Sequence, residues 1–387
     1  MNLIKLNSII HSFFINIDIL NVKKIDSGLI NQTFVVEYLN DGLESKFILQ
    51  SISNIYESHE IVNMNHKFVT DHIQGKINKN FSNLDSRIWK VPSLIKCQSN
   101  NLFSFPFESN YWRAMVFIDE AISLDCLDNV EIAYEIGLGL SKFHFFCSDL
   151  DYSKLKKSLK NFHNINYYID QYSKTLDNFN FNKLDNEVRI RTNNLINYLS
   201  NHIQFVDSLL PTLTKISIDK NIIHGDPKLS NFLFDIQQKY VVSLIDLDTV
   251  GTGNLLTDLA DCIRSICNPA GEDPIKNENV CFDINTLKYF LNGYFSINNE
   301  QKMQTYGNLL EFIYLIIFEL TIRFLTDYLQ SNRYFKIKYE THNLFRAEVQ
   351  CRLLSSFLVQ ISNLSILLDE MGIRSNSSFV SDVQKLF

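Results

Sequence analysis

The sequence predicts an α+β protein of two lobes, a small β-rich N-terminal lobe and a larger helical C-terminal lobe. Three observations carry that prediction. Short β-branched and aromatic runs separated by turn residues recur through residues 22–118, around one or two helices. After Asp119 the apolar residues recur at helical spacing, starting with the amphipathic stretch 131–146. The exception is 222–246, IIHGDPKLSNFLFDIQQKYVVSLID, which sets two strand-like runs inside the helical part. The expected division is 1–117 for the first lobe and 118–387 for the second, with the chemistry in the cleft between them.

In chain order, residues 1–20 have apolar positions at helical and mixed spacing and predict a helix packed on the first lobe. Residues 22–39 read as strand, turn, strand, with Ser27 and Gly28 at the turn. Asp41 and Gly42 form a hairpin dipeptide that leads into a third strand at 45–50. A helix at 58–72 follows, then strands at 87–97 and 111–118. In the second lobe, 255–267, 284–295, 308–330 and 344–371 predict helices. Residues 149–184, rich in Lys, Asn and Tyr, are weakly periodic and are expected to be an insertion between helices.

Composition narrows the class. A net charge of −7 argues against a nucleic-acid binder, whose affinity rests on a basic surface. Seven cysteines without a CxxC pair argue against a disulfide framework or a cysteine metal site, and fit a reducing, cytoplasmic setting. Asn7, Ser8, His11 and Asn16 interrupt the N-terminal apolar run, so no signal peptide is expected. The most apolar later stretch, 309–325, carries Glu311, Glu319 and Arg323, so it predicts a buried helix and not a membrane span. A small molecule is the expected partner.

The chemistry concentrates in 222–246. Gly225 and Pro227 exclude a helix and hold a tight loop that carries Asp226, Lys228 and Asn231 within six positions. Asp246 ends the second strand. An acid, a cation, an amide and a second acid are what a metal-assisted phosphoryl transfer needs. Asp226 is placed to accept the proton of an attacking hydroxyl, Lys228 to neutralise the moving phosphoryl group, and Asn231 and Asp246 to hold Mg²⁺. Asn231 follows Asp226 by five positions, as in the protein-kinase catalytic loop. Singly, a turn or a helix cap explains each residue; together and in this order they point to a site.

HGDPKLSN followed by LIDLDTVGTGNLLTDLADCIRS resembles the aminoglycoside phosphotransferase and choline kinase superfamily. Within it, GLINQTFVV, FILQSI, YWRAMVFIDEA and FELTIRFLTDYLQSNRYF are most similar to the N-acetylhexosamine 1-kinase group, and the likeness runs over 25–354. The resemblance implies a protein-kinase-like fold, with ATP as phosphate donor and Mg²⁺ as cofactor. It implies Asp226 as base, Lys228 facing the γ-phosphate, and Asn231 and Asp246 as metal ligands. Asn31, Gln50 and Ile118 would meet the nucleotide, Ile118 as part of the hinge. Asp248, Arg323 and Tyr334 would face the acceptor, with a metal contact the alternative for Asp248. Asp258 and Asp261 are expected to brace the catalytic loop.

Two departures stand out. SGLINQT has a single glycine, a poor phosphate lid, and Gln50 stands where a protein kinase carries a strand lysine. Ile48 and Gln50 share a face on a period-two strand, so Gln50 still aims at the nucleotide but brings no charge. Lys228 and Mg²⁺ are left to supply it. Arg323 is read either as a sugar contact or as the ion-pair partner of Glu319, one turn earlier. Tyr334 is read either as a sugar contact or as packing. Trp112 and Arg113 are read as structural. The expected acceptor is the anomeric hydroxyl of an N-acetylhexosamine or related sugar. The alternatives are choline, an amino alcohol, homoserine or an aminoglycoside, and, from another class, a protein that binds nucleotide without turnover.

Overall fold

The computed structural model describes residues 3–385, except 26, 27, 29, 80–86, 128, 217–220, 238, 275–278 and 298–304. Ser27, expected at a turn, lies outside the described residues. The chain opens with helix α1 (Leu3–Phe13), which stops where Asn16 takes a left-handed backbone. The helix is therefore shorter than the pattern over 1–20 predicts, and strand β1 (Asp18–Ile25) begins inside that stretch. Strands β2 (Gln32–Asn40) and β3 (Leu43–Ile52) form an antiparallel hairpin. Its turn residues Asp41 and Gly42 both have positive φ, 50° and 79°, the twist a two-residue hairpin loop requires.

Helix α2 (His59–Asn78) is capped by the Ser58 side chain, which accepts from Ile61 N. Of the strand expected at 87–97, only Leu94–Ile95 (β4) pairs. Pro92 has no N–H to give, and Lys90 N donates away from the sheet, to Val242 O. Strands β5 (Phe105–Phe107), β6 (Asn110–Val116) and the short β7 (Ala121–Ile122) follow. The main sheet runs β1-β2-β3-β6-β4, with β5 on β6.

Alternation along these strands gives the sheet two different faces. Phe34, Val36, Phe47, Leu49, Trp112 and Ala114 pack with Leu6, Ile9, Ile10 and Phe13 of α1 into a small core. The intervening residues Thr33, Ile48, Gln50, Arg113 and Met115 line the cleft on the other side.

The rest of the chain is mainly helical. Its helices are α3 (Glu131–Cys147), α4 (Ile165–Asn178), α5 (Asn186–Ile216), α6 (Leu255–Ile266), α7 (Ile284–Phe295), α8 (Leu309–Leu329), α9 (His342–Val359), α10 (Ile361–Glu370) and α11 (Ser377–Gln384). The helix expected over 344–371 is two, bent by 64° between α9 and α10. Weak periodicity hid α4 inside the supposed insertion. Among the described residues no single helix is long and apolar enough to cross a membrane. The two strands expected on either side of the central loop do not pair with each other. Strand β8 (Asn221–Ile223) pairs with β11 (Gly251–Gly253), and β10 (Val241–Leu244) pairs with β9 (Phe232–Asp235), whose phenylalanines alternate inward.

Helices α3 and α7 touch backbone to backbone through two glycines. A Cβ on Gly137 would lie 2.0 Å from Phe290 O, and one on Gly293 would lie 1.9 Å from Tyr134 O. Neither carbonyl can move without its helix. The better helix propensity of alanine, worth up to about 1 kcal/mol, is therefore outweighed. Gly293→Ala is expected to lower stability by roughly 1–3 kcal/mol, read from the midpoint of urea unfolding.

Candidate active site

Between the sheet and the helices lies a cleft of about 1550 Å³. Ordinary small-molecule pockets hold about 300–1,000 Å³, so there is room for two ligands side by side. Gln50 and Arg113 line it from the sheet, Ile118 from the link after β6, and Asp226, Lys228, Asn231 and Asp246 from the loop and turn beyond β8 and β10.

The loop is held by one buried carboxylate. Asp258, in the first turn of α6, accepts His224 N at 2.6 Å and Gly225 N at 2.8 Å, and His144 Nε2 lies 2.9 Å from the same group. Tyr294 OH is 2.9 Å from the other ring nitrogen of His144. Gly225 has φ of +87°, and a Cβ there would sit 2.9 Å from Thr249 O, so glycine alone fits. His224 Nδ1 accepts from Asp226 N at 3.3 Å, which leaves Nε2 to donate to Ile245 O at 2.8 Å. Burial keeps this ring neutral by lowering its pKa. Asp261, the other expected brace, is taken up by Arg264 at 2.8 Å.

The sequence-predicted residues of the loop converge. Lys228 Nζ donates to Asp226 Oδ2 at 2.8 Å, and Asn231 Nδ2 donates to Asp226 O at 2.8 Å. Burial opposes the charge on Asp226, but the Lys228 ammonium and the bond it makes hold the carboxyl below its usual range. Asp226 is therefore ionised at neutral pH, and its side chain is still 30% exposed. Asn231 spends its amide nitrogen on the loop, which frees its amide oxygen for a ligand.

Asp246 is the strained member. Its backbone is left-handed, φ 64° and ψ 57°, a conformation that costs a β-carbon-bearing residue roughly 1–2 kcal/mol. Its Oδ1 is buried without a hydrogen-bond partner among the described residues. Burial, then the Asp248 carboxylate, push its pKa up to about 7 against the pull of Lys228. An unpartnered buried carboxylate oxygen and an amide oxygen lining the same cleft fit Mg²⁺, which takes one or two protein oxygens and completes its shell with waters and phosphates.

Asp248, expected among the acceptor contacts, has both oxygens engaged elsewhere. Oδ1 pairs with Arg113, and Oδ2 accepts Asn31 Nδ2 at 2.6 Å. Asn31, expected on the nucleotide, spends its side-chain oxygen on Ser53 N as well. Gln50 does line the cleft, but its Oε1 accepts from Arg113 Nε at 3.0 Å and Nη2 at 2.5 Å.

Arg323, expected at the acceptor, lies among the rings of Phe162, Tyr168, Tyr334 and Phe335, at 4.9–5.6 Å from their centroids. It also pairs with Glu319 at 3.1 Å, the ion pair that one of the two sequence readings expected. Tyr334 is set by its backbone N–H, which donates to Asp327 Oδ1 at 2.8 Å. The sequence reading missed residues 156–163. Lys156 exchanges two hydrogen bonds with Asn65 of α2, Ser158 Oγ donates to Asp248 O at 2.6 Å, and His163 Nε2 donates to Gly225 O at 2.9 Å. Asn161 and His163 turn through positive φ, 58° and 54°, which carries no hydrophobic period. The one legible signal was two Asn-flanked aromatics in FHN.

Burial opposes charge on His163, but Glu319 at 3.3 Å and the bond to Gly225 O push its pKa up to about 9. The unfolded value is about 6.5. A raised value means this pairing stabilises the fold fully below about pH 6.5 and stops doing so as pH rises through 9. Denaturation at pH 6 and pH 9.5 is expected to show wild type losing stability over that span. His163→Gln should flatten that part of the loss.

The phosphotransferase enzyme family matches residues 21–280 of the chain. Among solved structures, the chain is similar to the aminoglycoside phosphotransferase of Alicyclobacillus acidocaldarius, with TM-score 0.60 and 11% identity over 94% of this chain and 96% of that one. It is similar to the choline kinase of Cryptosporidium parvum, with TM-score 0.53 and 16% identity over 95% and 93%. It is also similar to amicoumacin kinase in complex with AMP-PNP and Ca²⁺, with TM-score 0.52 and 14% identity over 90% and 92%. At these identities the likeness speaks for the fold, which is protein-kinase-like.

Proposed function

Because the chain belongs to the phosphotransferase enzyme family, we propose that it is an ATP- and Mg²⁺-dependent kinase of a small hydroxyl compound, and that its acceptor is the anomeric hydroxyl of an N-acetylhexosamine or related sugar. The observation that carries the kinase reading is the convergence of Asp226, Lys228, Asn231 and Asp246 on the cleft, with a buried Asp246 oxygen that no described residue satisfies. The nucleotide complex of amicoumacin kinase, a protein of like fold, agrees with ATP as donor.

Asp226 takes the acceptor's proton. It is ionised, partly exposed and oriented by Lys228, which also faces the charge that develops on the transferred group. Asn231 and Asp246 would hold Mg²⁺, which when bound neutralises the donor's phosphate charge. A sugar's anomeric hydroxyl is more acidic than an ordinary alcohol, so a plain carboxylate suffices as base.

The acceptor reading is supported by what surrounds Arg323. Four aromatic rings make a setting that attracts cations, yet the protein's own guanidinium already occupies it. A quaternary or primary ammonium brought there would meet a like charge. A neutral sugar, by contrast, finds guanidinium donors, a tyrosine hydroxyl and ring faces together.

Asp226→Asn is expected to lower turnover by about 10²–10⁴-fold while ATP still binds. Asp246→Ala is expected to lose both turnover and Mg²⁺-dependent nucleotide binding. A panel of sugars, choline and aminoglycosides, followed by phosphorus NMR, should give a sugar 1-phosphate whose signal couples to the anomeric proton. Arg323→Ala and Tyr334→Phe should raise the KM for the hexosamine and leave that for ATP nearly unchanged. Phosphate on a primary hydroxyl, or turnover of choline with none of any hexosamine, would sink the sugar assignment.

A further inference from the structure

The strand lysine of protein kinases brings a cation to the donor's phosphates, and Gln50, in its place on β3, brings none. The register of the sheet sets Gln50 directly opposite Arg113 of β6. Both residues belong to the alternate set that lines the cleft, while their neighbours Leu49, Trp112 and Ala114 point into the small core. A charge lost from one strand is thus present on the next, at the same level and on the same face.

The bonds of Arg113 show what it lacks. A guanidinium has five N–H donors. Nε and Nη2 give to Gln50 Oε1, and Nη2 also gives to Asp248. Nη1 is buried and has no hydrogen-bond partner among the described residues. An unmade bond on a buried charged group costs about 1–3 kcal/mol or more, and a group that served only to neutralise Asp248 would have no reason to bear it. The rest of the arrangement fixes the fork. Gln50 Nε2 donates to Thr33 Oγ1 at 3.0 Å, which turns Oε1 toward Arg113, and Asn31 holds the second oxygen of Asp248. Asp248, the ion-pair partner of Arg113, lies two residues past Asp246, the expected metal ligand.

We propose that Arg113 is the phosphate-binding cation of the nucleotide site, seated by Gln50 and Asp248, with Nη1 reserved for a phosphate oxygen of the donor. The inference rests on the reading of the cleft as an ATP site. In this arrangement Gln50 is the positioning residue that aims the guanidinium, and Asp248 is its counter-ion when no nucleotide is bound. A planar fork reaches phosphate oxygens with a fixed geometry, which a lysine does not.

Calorimetric binding of ATP with Mg²⁺ and of adenosine, which has no phosphate, separates this role from a structural one. Arg113→Met is expected to weaken ATP by about 10- to 100-fold and to leave adenosine within about twofold. Arg113→Lys, which keeps the charge and loses the fork, should fall between, and it carries the test if the methionine variant does not fold. The double variant Gln50→Lys/Arg113→Met returns the cation to the neighbouring strand and should regain much of the ATP affinity. The proposal is overturned if the Arg113 variants weaken ATP and adenosine equally, if they leave ATP unchanged, or if the double variant binds ATP no better than Arg113→Met. Wild-type protein that binds neither ligand would overturn the kinase reading and this inference with it.

Discussion

The loop at Gly225 exists because a single buried carboxylate satisfies it. Two successive backbone N–H groups at a sharp turn have no carbonyl partners of their own, and left unpaired inside the protein each would cost about 1–3 kcal/mol. Asp258 takes both, and His144 of α3 completes its shell, itself held by Tyr294 of α7. With the turn pinned to α6, the Asp226 side chain leaves the loop in one direction and Lys228 closes on it. His224 then spans from this loop to Ile245, one residue before Asp246. The two acids of the site are thus tied through a neutral imidazole, and their relative placement is a property of the core.

Much of this was legible in the sequence. The order of acid, cation, amide and acid survives intact from chain to site because all four lie within one short supersecondary unit. Asp258 was legible too, since one helical turn after Asn254 puts it at the start of α6, where its carboxylate also meets the helix's positive end. The change from period two to helical spacing after Asp119 matches the passage from the main sheet to a mainly helical part. The central strands were recognised as strands but not as partners, because pairing is a long-range fact. Gly251–Gly253 carries no β-branched signal except Thr252, and it is the strand that β8 needs.

Other features were beyond pattern reading for physical reasons. Arg113 has its meaning only from the register of β3 on β6, which no single strand encodes. The sequence reading judged Gln50 alone and so left the missing charge to Lys228 and Mg²⁺. Residues 156–163 act through backbone carbonyls and two left-handed residues, and such contacts leave no hydrophobic trace. Asp248 shows the converse: its nearness to Asp246 in sequence suggested an acceptor contact, whereas its side chain faces the sheet.

The bonds of Asn65 bear on how the cleft opens. Its amide nitrogen gives to Lys156 O and Val250 O, and its oxygen accepts Lys156 N, all from a fully buried position on α2. Val69 and Ile73 of the same helix belong to the large core, and the small core under the sheet contains no residue of α2. The helix that follows β3 in sequence is therefore, mechanically, part of the frame on which the loop at Gly225 is built. Any breathing of the cleft has the sheet with α1 as the moving plate and α2 as fixed ground. The contacts that such a motion would have to stretch include Arg113 to Asp248, Asn31 to Asp248, Lys336 to the backbone of Asn31, Asn63 of α2 to Phe103 O, and the stack of His59 on Tyr111. Two of these converge on one carboxylate, so Asp248 is where the sheet and the turn beyond β10 are clasped together.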